Sequence, residues 1–194
     1  MAPRGITLLE LLITLAIVAL LGSLALPGLR GLREQSDSTL AVNQVLGQLG
    51  LARSSAILQH ARVTLCPGGG QTPGSPATCG VRDSWHLGAL LFVDVNGNGR
   101  RETTEPELRR FPPLDTGRVY WRGFRNRVYL QYLPSGHTPF QNGSFYYCAA
   151  SGAPNLARIV ILTASGRARV ASDRNGDGVV EDASGQPARC PPGA

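Results

Sequence analysis

The feature that most constrains the fold of this chain is an apolar run near its start, from Ile6 to Leu26, with one charged residue, Glu10. Its 21 residues are enough to cross a hydrocarbon core of about 30 Å as a helix. Arg4 precedes the run, which predicts a cytoplasmic N-terminus and export of the rest. No A-x-A-like cleavage site of an ordinary secretory signal follows it. A lone carboxylate in hydrocarbon costs roughly 2.5–3.5 kcal/mol, so Glu10 requires a neutralising partner.

The apolar run leads into a second helical segment, residues 27–61. Apolar residues recur there at steps of three to five, which is typical of an amphipathic helix lying on a domain. The residues of this predicted stripe are Leu40, Val45, Leu49, Ala52, Ala56 and Ile57.

From residue 62 the pattern changes to short runs of period-two character, separated by Gly, Pro and Asn. One long helix followed by such runs predicts an α+β fold with a largely antiparallel sheet. The predicted strands are 62–66, 86–94, 107–111, 118–121, 127–133, 143–150, 157–163 and 166–172.

The four cysteines are too widely spaced for the paired C-x-x-C ligands of a zinc site. Disulfides fit better, and they imply an oxidising compartment such as a periplasm or cell exterior. Of the three pairings we favour Cys66 with Cys79 and Cys148 with Cys190, because the first closes a short Gly/Pro-rich loop. Closing such a loop contributes on the order of 3 kcal/mol in the chain-entropy model.

The residues from Gly5 to Glu10, GITLLE, resemble the class III signal of type IV pilins and type II secretion pseudopilins. In that family a prepilin peptidase cuts after the glycine and methylates the new terminus, which makes Gly5 and Ile6 the implied processing site. The resemblance also implies that Glu10 pairs with the amino terminus of a neighbouring subunit. That pairing would compensate the charge in the apolar run.

The globular part resembles the GspH/FimT-type minor pilin and pseudopilin domain over residues 52–66 and 85–100, and at Glu105 and Leu108. The resemblance implies a leader peptide (1–5), a transmembrane and assembly helix (6–26), its amphipathic continuation (27–61) and a β domain (62–194). It also implies a single-pass inner-membrane protein whose domain faces the periplasm and then the outside of a pilus. The implied partners are other pilins, the peptidase and the inner membrane.

Two stretches have the spacing of calcium loops. In 94–105, Asp94, Asn96, Asn98 and Glu105 could supply oxygen ligands, but the Asn-Gly dipeptides also fit a hairpin turn, and Arg100 and Arg101 oppose a cation. The second stretch repeats the start of the pattern, but its twelfth position is Ser184. Its candidate ligands are Asp173, Asn175 and Asp177, followed by Gly178.

The segment from Gly166 to Arg169 is the candidate for specific function. Arg167 and Arg169 are two apart on a predicted strand, so both point to one face, about 7 Å apart, comparable to the separation of adjacent phosphates. The segment is similar to the G-R-x-R motif of FimT-like pilins, which is implicated in DNA binding during natural transformation. Arg158 is a further candidate. The alternative is a solvated edge strand whose arginines discourage aggregation.

A second basic cluster lies at 118–127, where Arg118, Arg122, Arg125 and Arg127 alternate with aromatic residues. Arginine interleaved with aromatics can hold single-stranded nucleic acid. The alternative is a hairpin with an aromatic core and a wet basic face. The formal net charge of +6, carried by 19 arginines and no lysine, permits an anionic partner.

These observations favour a minor type IV pilin that binds DNA without sequence preference for uptake. The alternatives are a GspH-like pseudopilin or tip-priming minor pilin acting only through protein contacts, and a calcium-stabilised adhesive module. Scattered histidines and the lack of phosphate-loop, nucleophile-elbow and zinc-protease motifs argue against an enzyme. We expect no cofactor apart from calcium.

Overall fold

The computed structural model describes residues 5, 7–69, 78–123 and 127–191, without the side chains of 23–30. Residues 1–4, 6, 70–77, 124–126 and 192–194 lie outside this part of the chain. The chain divides into two compact units, Met1–Ser36 and Asp37–Ala194.

The elements follow the predicted order, a long helix and then strands. Helix α1 spans Leu8–Leu58, and short 3₁₀ turns span Trp85–Leu87 and Pro154–Leu156. The strands are β1 (Val63–Gly69), β2 (Thr78–Cys79), β3 (Ala89–Val93), β4 (Glu107–Phe111), β5 (Arg118–Gly123), β6 (Leu130–Tyr132), β7 (Gly143–Cys148), β8 (Arg158–Leu162) and β9 (Ala168–Val170).

The first unit contains the start of α1. Thr7 precedes the helix and its Oγ1 accepts the backbone N–H of Glu10 at 3.3 Å, the N-cap bond expected of a T-x-x-E sequence. Large apolar side chains then point outward around the helix, each more than half exposed. They are Leu8, Leu9, Leu11, Leu12, Ile13, Leu15, Ile17, Val18, Leu20 and Leu21. An apolar surface this extensive indicates an interaction site.

Within the described residues, we find no helix with both the length and the apolar character of a membrane span.

In the second unit, one face of α1 packs into the core. The buried residues recur at helical spacing: Ala41, Val42, Val45, Leu49, Ala52 and Ala56. The predicted stripe is wrong at two positions, because Leu40 is 62% exposed and Ile57 is 42% exposed. At 100° per residue, Leu40 lies about 140° round the helix from Val45, away from the buried face.

Two antiparallel sheets complete the second unit, which confirms the predicted α+β class. The first has the order β2-β1-β3-β4, with β6 also pairing with β1, and the second has the order β5-β7-β8-β9. Strand β2 was not predicted, the predicted strand 86–94 begins in a 3₁₀ turn, and β6 covers only part of 127–133. Side chains from α1 and both sheets form one core, in which Trp85 and Trp121 both contact Phe145.

The C-terminal segment, residues 173–190, covers the face of the second sheet that points away from this core. Val179, Val180 and Ala188 pack there against Ile159 and Ile161. A disulfide from Cys148 to Cys190 ties the segment to β7. The other disulfide joins Cys66 to Cys79, so the structure contains both bonds of the favoured pairing.

Candidate functional site

Gly166 forms the turn between β8 and β9, immediately before the arginine pair. Its φ of 76° lies in the left-handed region, and a Cβ at this position would collide with the backbone oxygen of Gly136. Its backbone N–H donates to Thr163 O at 2.9 Å. The glycine of the G-R-x-R segment is therefore required by the fold, whatever the arginines bind.

The same turn is docked on the loop that follows β6. The backbone N–H and the hydroxyl of Thr138 both donate to Ala164 O, at 3.0 and 3.2 Å. Thr163 Oγ1 also donates to Arg167 O at 3.1 Å. These bonds order the backbone from which the two arginine side chains extend.

Arg167 and Arg169 are both exposed. Ala168, between them, points to the other face of the sheet and packs against the core. Arg169 lies opposite Ile161 in the antiparallel register. The same cross-strand row continues through Ser144 to Arg122 on β5. At about 4.8 Å per strand, Arg122 is about 14 Å from Arg169 on the same face of the sheet.

Of the second basic cluster, Arg122 lies on the same face of the second sheet as Arg169. Its guanidinium carbon lies 4.9 Å from the ring centroid of Tyr146, in cation–π geometry. Trp121, its neighbour, is only 4% exposed and belongs to the core. Arg127 instead contacts Tyr129, with its guanidinium carbon 5.7 Å from the ring centroid. Arg125 lies outside the described residues.

The structure does not bring Arg158 together with this group. It lies one residue before Ile159 on β8, so its side chain starts on the opposite face from Arg169. Its Nη1 donates to Asn155 O and Ala157 O, both at 2.8 Å. These bonds hold Arg158 against the 3₁₀ turn that precedes its strand.

The first acidic loop, 94–105, connects β3 to β4. The carboxylates at its two ends, Asp94 and Glu105, accept hydrogen bonds from protein donors. Asp94 is fully buried, and its carboxylate accepts hydrogen bonds from Gly97 N, Gly99 N, Thr64 Oγ1 and Gln131 Nε2. Glu105 accepts the N–H groups of Val95 and Glu102, and burial raises its pKa. Neutral donors occupy the carboxylates of Asp94 and Glu105, which favours the hairpin interpretation; Glu102 Oε2 is buried and has no hydrogen-bond partner among the described residues.

The second acidic loop has the same backbone arrangement around Asp173. Gly176 N and Gly178 N donate to its two carboxylate oxygens at 2.7 and 2.8 Å. The bonds from Gly178 and Gly176 hold the pKa of Asp173 below its usual value. One carboxylate oxygen each from Asp173, Asp177 and Glu181 lies within 4.8 Å of the others. The sequence analysis missed Glu181, although it occupies the ninth position of the calcium-loop pattern.

Of the predicted processing and assembly residues, Gly5 and Glu10 are described and both are exposed. A Cβ at Gly5 would meet nothing within 4 Å. Glu10 stands in the first turn of α1, where its negative charge interacts favourably with the helix dipole. Ile6 lies outside the described residues.

A family model described as type II transport protein GspH matches residues 41–166. The chain belongs to the GspH family. A second family model, the prokaryotic N-terminal methylation motif, matches residues 1–26 of this GspH-family chain. The GspH match ends at Gly166, so Arg167, Arg169 and the loop at 173–181 follow the matched part. Comparison with curated proteins gives no significant match.

Among solved structures, the GspH-family chain resembles the type IV minor pilin FimU from Pseudomonas aeruginosa strain PAO1. The crystal structure in space group P21 gives a TM-score of 0.52 at 17% identity, over 74% of this chain and 91% of FimU. The structure in space group P65 gives 0.49 at 17% identity, over 71% and 92%. The chain thus has the fold of the minor pilin FimU.

Proposed function

We propose that this protein is a minor type IV pilin that binds DNA without sequence preference, for uptake in natural transformation. The observation that carries the proposal is the placement of Arg167 and Arg169, which are exposed on a hairpin fixed by Gly166 and Thr138. Arg122 lies on the same face, at the other end of a cross-strand row whose middle residues, Ile161 and Ser144, are buried. The exposed arginine pair suits a phosphate backbone.

The charges of Arg167 and Arg169 are available to a ligand. Among the described residues, neither has an ion-pair partner within 4 Å. Guanidinium groups bind phosphate oxygens through paired N–H donors. Contacts of this kind position a nucleic acid without selecting bases, so the expected binding is sequence-independent and strongly salt-dependent.

The N-terminal part of α1 supports the filament role. Its large apolar side chains, exposed from Leu8 to Leu21, require a cover. We propose that the inner membrane covers them before assembly and the helices of neighbouring pilins afterwards. In this proposal a prepilin peptidase cuts between Gly5 and Ile6, and the new amino terminus of a neighbour neutralises Glu10. The second unit then faces the periplasm and, in the pilus, the exterior.

The test is DNA binding by the full chain in non-ionic detergent, measured by fluorescence anisotropy across a salt series. We expect the Arg167→Gln/Arg169→Gln variant to bind more weakly and to lower the salt slope by roughly two, because each phosphate contact contributes about one. Arg158→Gln is the matched control, since it removes an arginine from the opposite face. We expect its affinity and slope to stay near wild type. Absence of binding at low salt would refute DNA binding.

The second candidate is a pseudopilin or tip-priming minor pilin that acts only through protein contacts. It is favoured by the description of the matching family model as a type II transport protein. The anisotropy experiment separates the two candidates, because the second predicts that the protein does not bind DNA. The second also predicts that Arg167→Gln/Arg169→Gln assembles into filaments as wild type does. The amount of this variant in sheared filaments measures its assembly.

A further inference from the structure

We propose that the loop from Asp173 to Glu181 binds a calcium ion, with Asp173, Asn175, Asp177 and Glu181 as side-chain ligands. Asp173, Asn175 and Asp177 occupy the first, third and fifth positions of the calcium-loop pattern, and Gly178 the sixth. The backbone carbonyl of Val179 stands at the seventh, which supplies a main-chain ligand in such loops. Three carboxylate oxygens already lie within 4.8 Å of one another.

Glu181 provides an independent indication of a ligand. The residue is only 5% exposed, and its Oε2 accepts the backbone N–H of Arg174 at 2.8 Å. Its Oε1 is buried and has no hydrogen-bond partner among the described residues. A buried carboxylate oxygen without a partner is costly, because desolvation is not repaid. A cation held between Glu181, Asp173 and Asp177 supplies the missing partner.

The two acidic loops differ at the first-position aspartate, although Glu102 of the first loop also has a buried Oε2 without a hydrogen-bond partner among the described residues. There the first-position Asp94 receives bonds from Thr64 Oγ1 and Gln131 Nε2 as well as from the loop backbone. The hydrogen bonds that Asp173 accepts within the described part of the chain come from the backbone of its own loop, at Gly176 and Gly178. A carboxylate oxygen has two lone pairs, so each oxygen of Asp173 retains one for a metal.

The ligand chemistry selects calcium. All candidate ligands are oxygens, with three carboxylates, one amide and one backbone carbonyl, and no histidine or cysteine stands between 173 and 184. Calcium accepts six to eight oxygen ligands in flexible geometry, whereas magnesium demands a smaller octahedron. Asp173, Asn175 and Asp177 are exposed, so an ion can enter from solvent and retain water as its remaining ligands. We expect a dissociation constant on the order of 10⁻⁴–10⁻³ M, the range of extracellular modules.

Calcium at this position anchors the C-terminal segment. Val179 and Val180, within and next to the ligand run, pack on the outer face of the second sheet. Asp182, which follows Glu181, accepts the Tyr146 hydroxyl at 3.0 Å. Metal binding therefore stabilises the contact between this segment and the sheet, beside the strand that carries Arg169.

The experiment titrates the full chain in non-ionic detergent with calcium chloride, by isothermal calorimetry and by thermal unfolding against an EGTA reference. We expect saturable binding, with magnesium at least tenfold weaker, and a rise in Tm of about 3–5 °C at ten times the dissociation constant. Glu181→Gln and Asp177→Asn should each abolish the shift. Asp177 is exposed, so its variant remains informative if Glu181→Gln fails to fold.

Glu102→Gln is the matched control, because Glu102 holds the ninth position of the first loop, as Glu181 does in the second. We expect this variant to retain the full calcium-induced rise in Tm. No saturable heat, an equal shift in Asp177→Asn and wild type, or a shift lost in Glu102→Gln would each overturn the proposal. None of these outcomes bears on DNA binding by Arg167 and Arg169, which is measured separately.

Discussion

Tyr146 donates its phenolic hydrogen to Asp182 Oδ2 at 3.0 Å, which joins β7 to the C-terminal segment. Asp182 also accepts bonds from the backbone N–H and hydroxyl of Ser184, both at 2.8 Å, so the same carboxylate orders the adjoining turn. A carboxylate only accepts hydrogen bonds, and the link therefore requires the phenol to be protonated.

We predict that the hydrogen bond between Tyr146 and Asp182 is lost at alkaline pH, while the Cys148–Cys190 disulfide still ties the segment to β7. Burial, together with the bond to Asp182, raises the pKa of Tyr146 to about 12, against about 10 in an unfolded chain. The stabilisation is therefore fully present below pH about 10 and disappears as the pH rises through about 12. Absorbance of the phenolate, followed during titration, measures this step. Burial also raises the pKa of Tyr132, so the Tyr146 step is identified as the late absorbance change that Tyr146→Phe lacks and wild type shows. A Tyr146 step near pH 10 in the wild type would contradict the prediction.

Much of the fold is predictable because the apolar residues on the buried face of a helix or strand recur in the sequence at the period of that element. Strand β4 coincides with its predicted bounds, Glu107–Phe111, and the other predicted strands overlap observed ones. Strand β2 was not predictable, since its two residues are ordered by pairing with Gly68 and Gly69 of β1. The 3₁₀ turn at Trp85–Leu87 likewise depends on a tertiary contact, the packing of Trp85 against Phe145.

The candidate site is predictable only as far as it lies on one strand. Alternation alone places Arg167 and Arg169 on the same side of their strand. The separation from Arg158 and the alignment with Arg122 depend on the register between strands, which single-strand patterns do not reveal. Glu181, in contrast, follows from loop spacing and could have been identified from the sequence.

Gly166→Ala should destabilise the protein more than an alanine at an ordinary left-handed glycine. Both the positive φ and the collision with Gly136 O oppose a Cβ there. A left-handed non-glycine residue costs of order 1–3 kcal/mol, and the collision adds to it. Gly152→Ala is the matched control, because its φ is 70° and a Cβ would meet nothing within 4 Å. Equal losses of thermal stability in the two variants would show that the close approach contributes nothing.

Phe140→Ala should weaken binding to single-stranded DNA while leaving the stability nearly unchanged. Phe140 is 80% exposed with a positive φ of 55°, two residues after Thr138, which bonds to the β8–β9 turn. An exposed aromatic ring can stack on unpaired bases, and each such contact contributes about 1–3 kcal/mol. Duplex binding, which offers no unstacked base, should be unaffected.

Val95→Ala is the control for Phe140, because Val95 is 78% exposed and lies in the β3–β4 connection. Fluorescence anisotropy with single-stranded and duplex probes of equal length measures both variants. If Phe140→Ala weakens both probes equally, the ring contributes through the protein conformation and not through stacking.

Glu10→Gln should abolish incorporation into filaments while preserving the start of α1. Glutamine at this position retains the capping-box pattern with Thr7, so the variant removes the charge without removing the cap. Thr7→Ala has the opposite effect: it removes the acceptor of the Glu10 N–H at a cost of about 0.5–2 kcal/mol and keeps the carboxylate.

The fractions of each variant in sheared filaments and in membranes, compared by immunoblotting, separate the two roles. If the neighbour's amino terminus pairs with Glu10, Thr7→Ala assembles and Glu10→Gln stays in the membrane. Incorporation of Glu10→Gln at the wild-type level would instead assign Glu10 to the helix start alone.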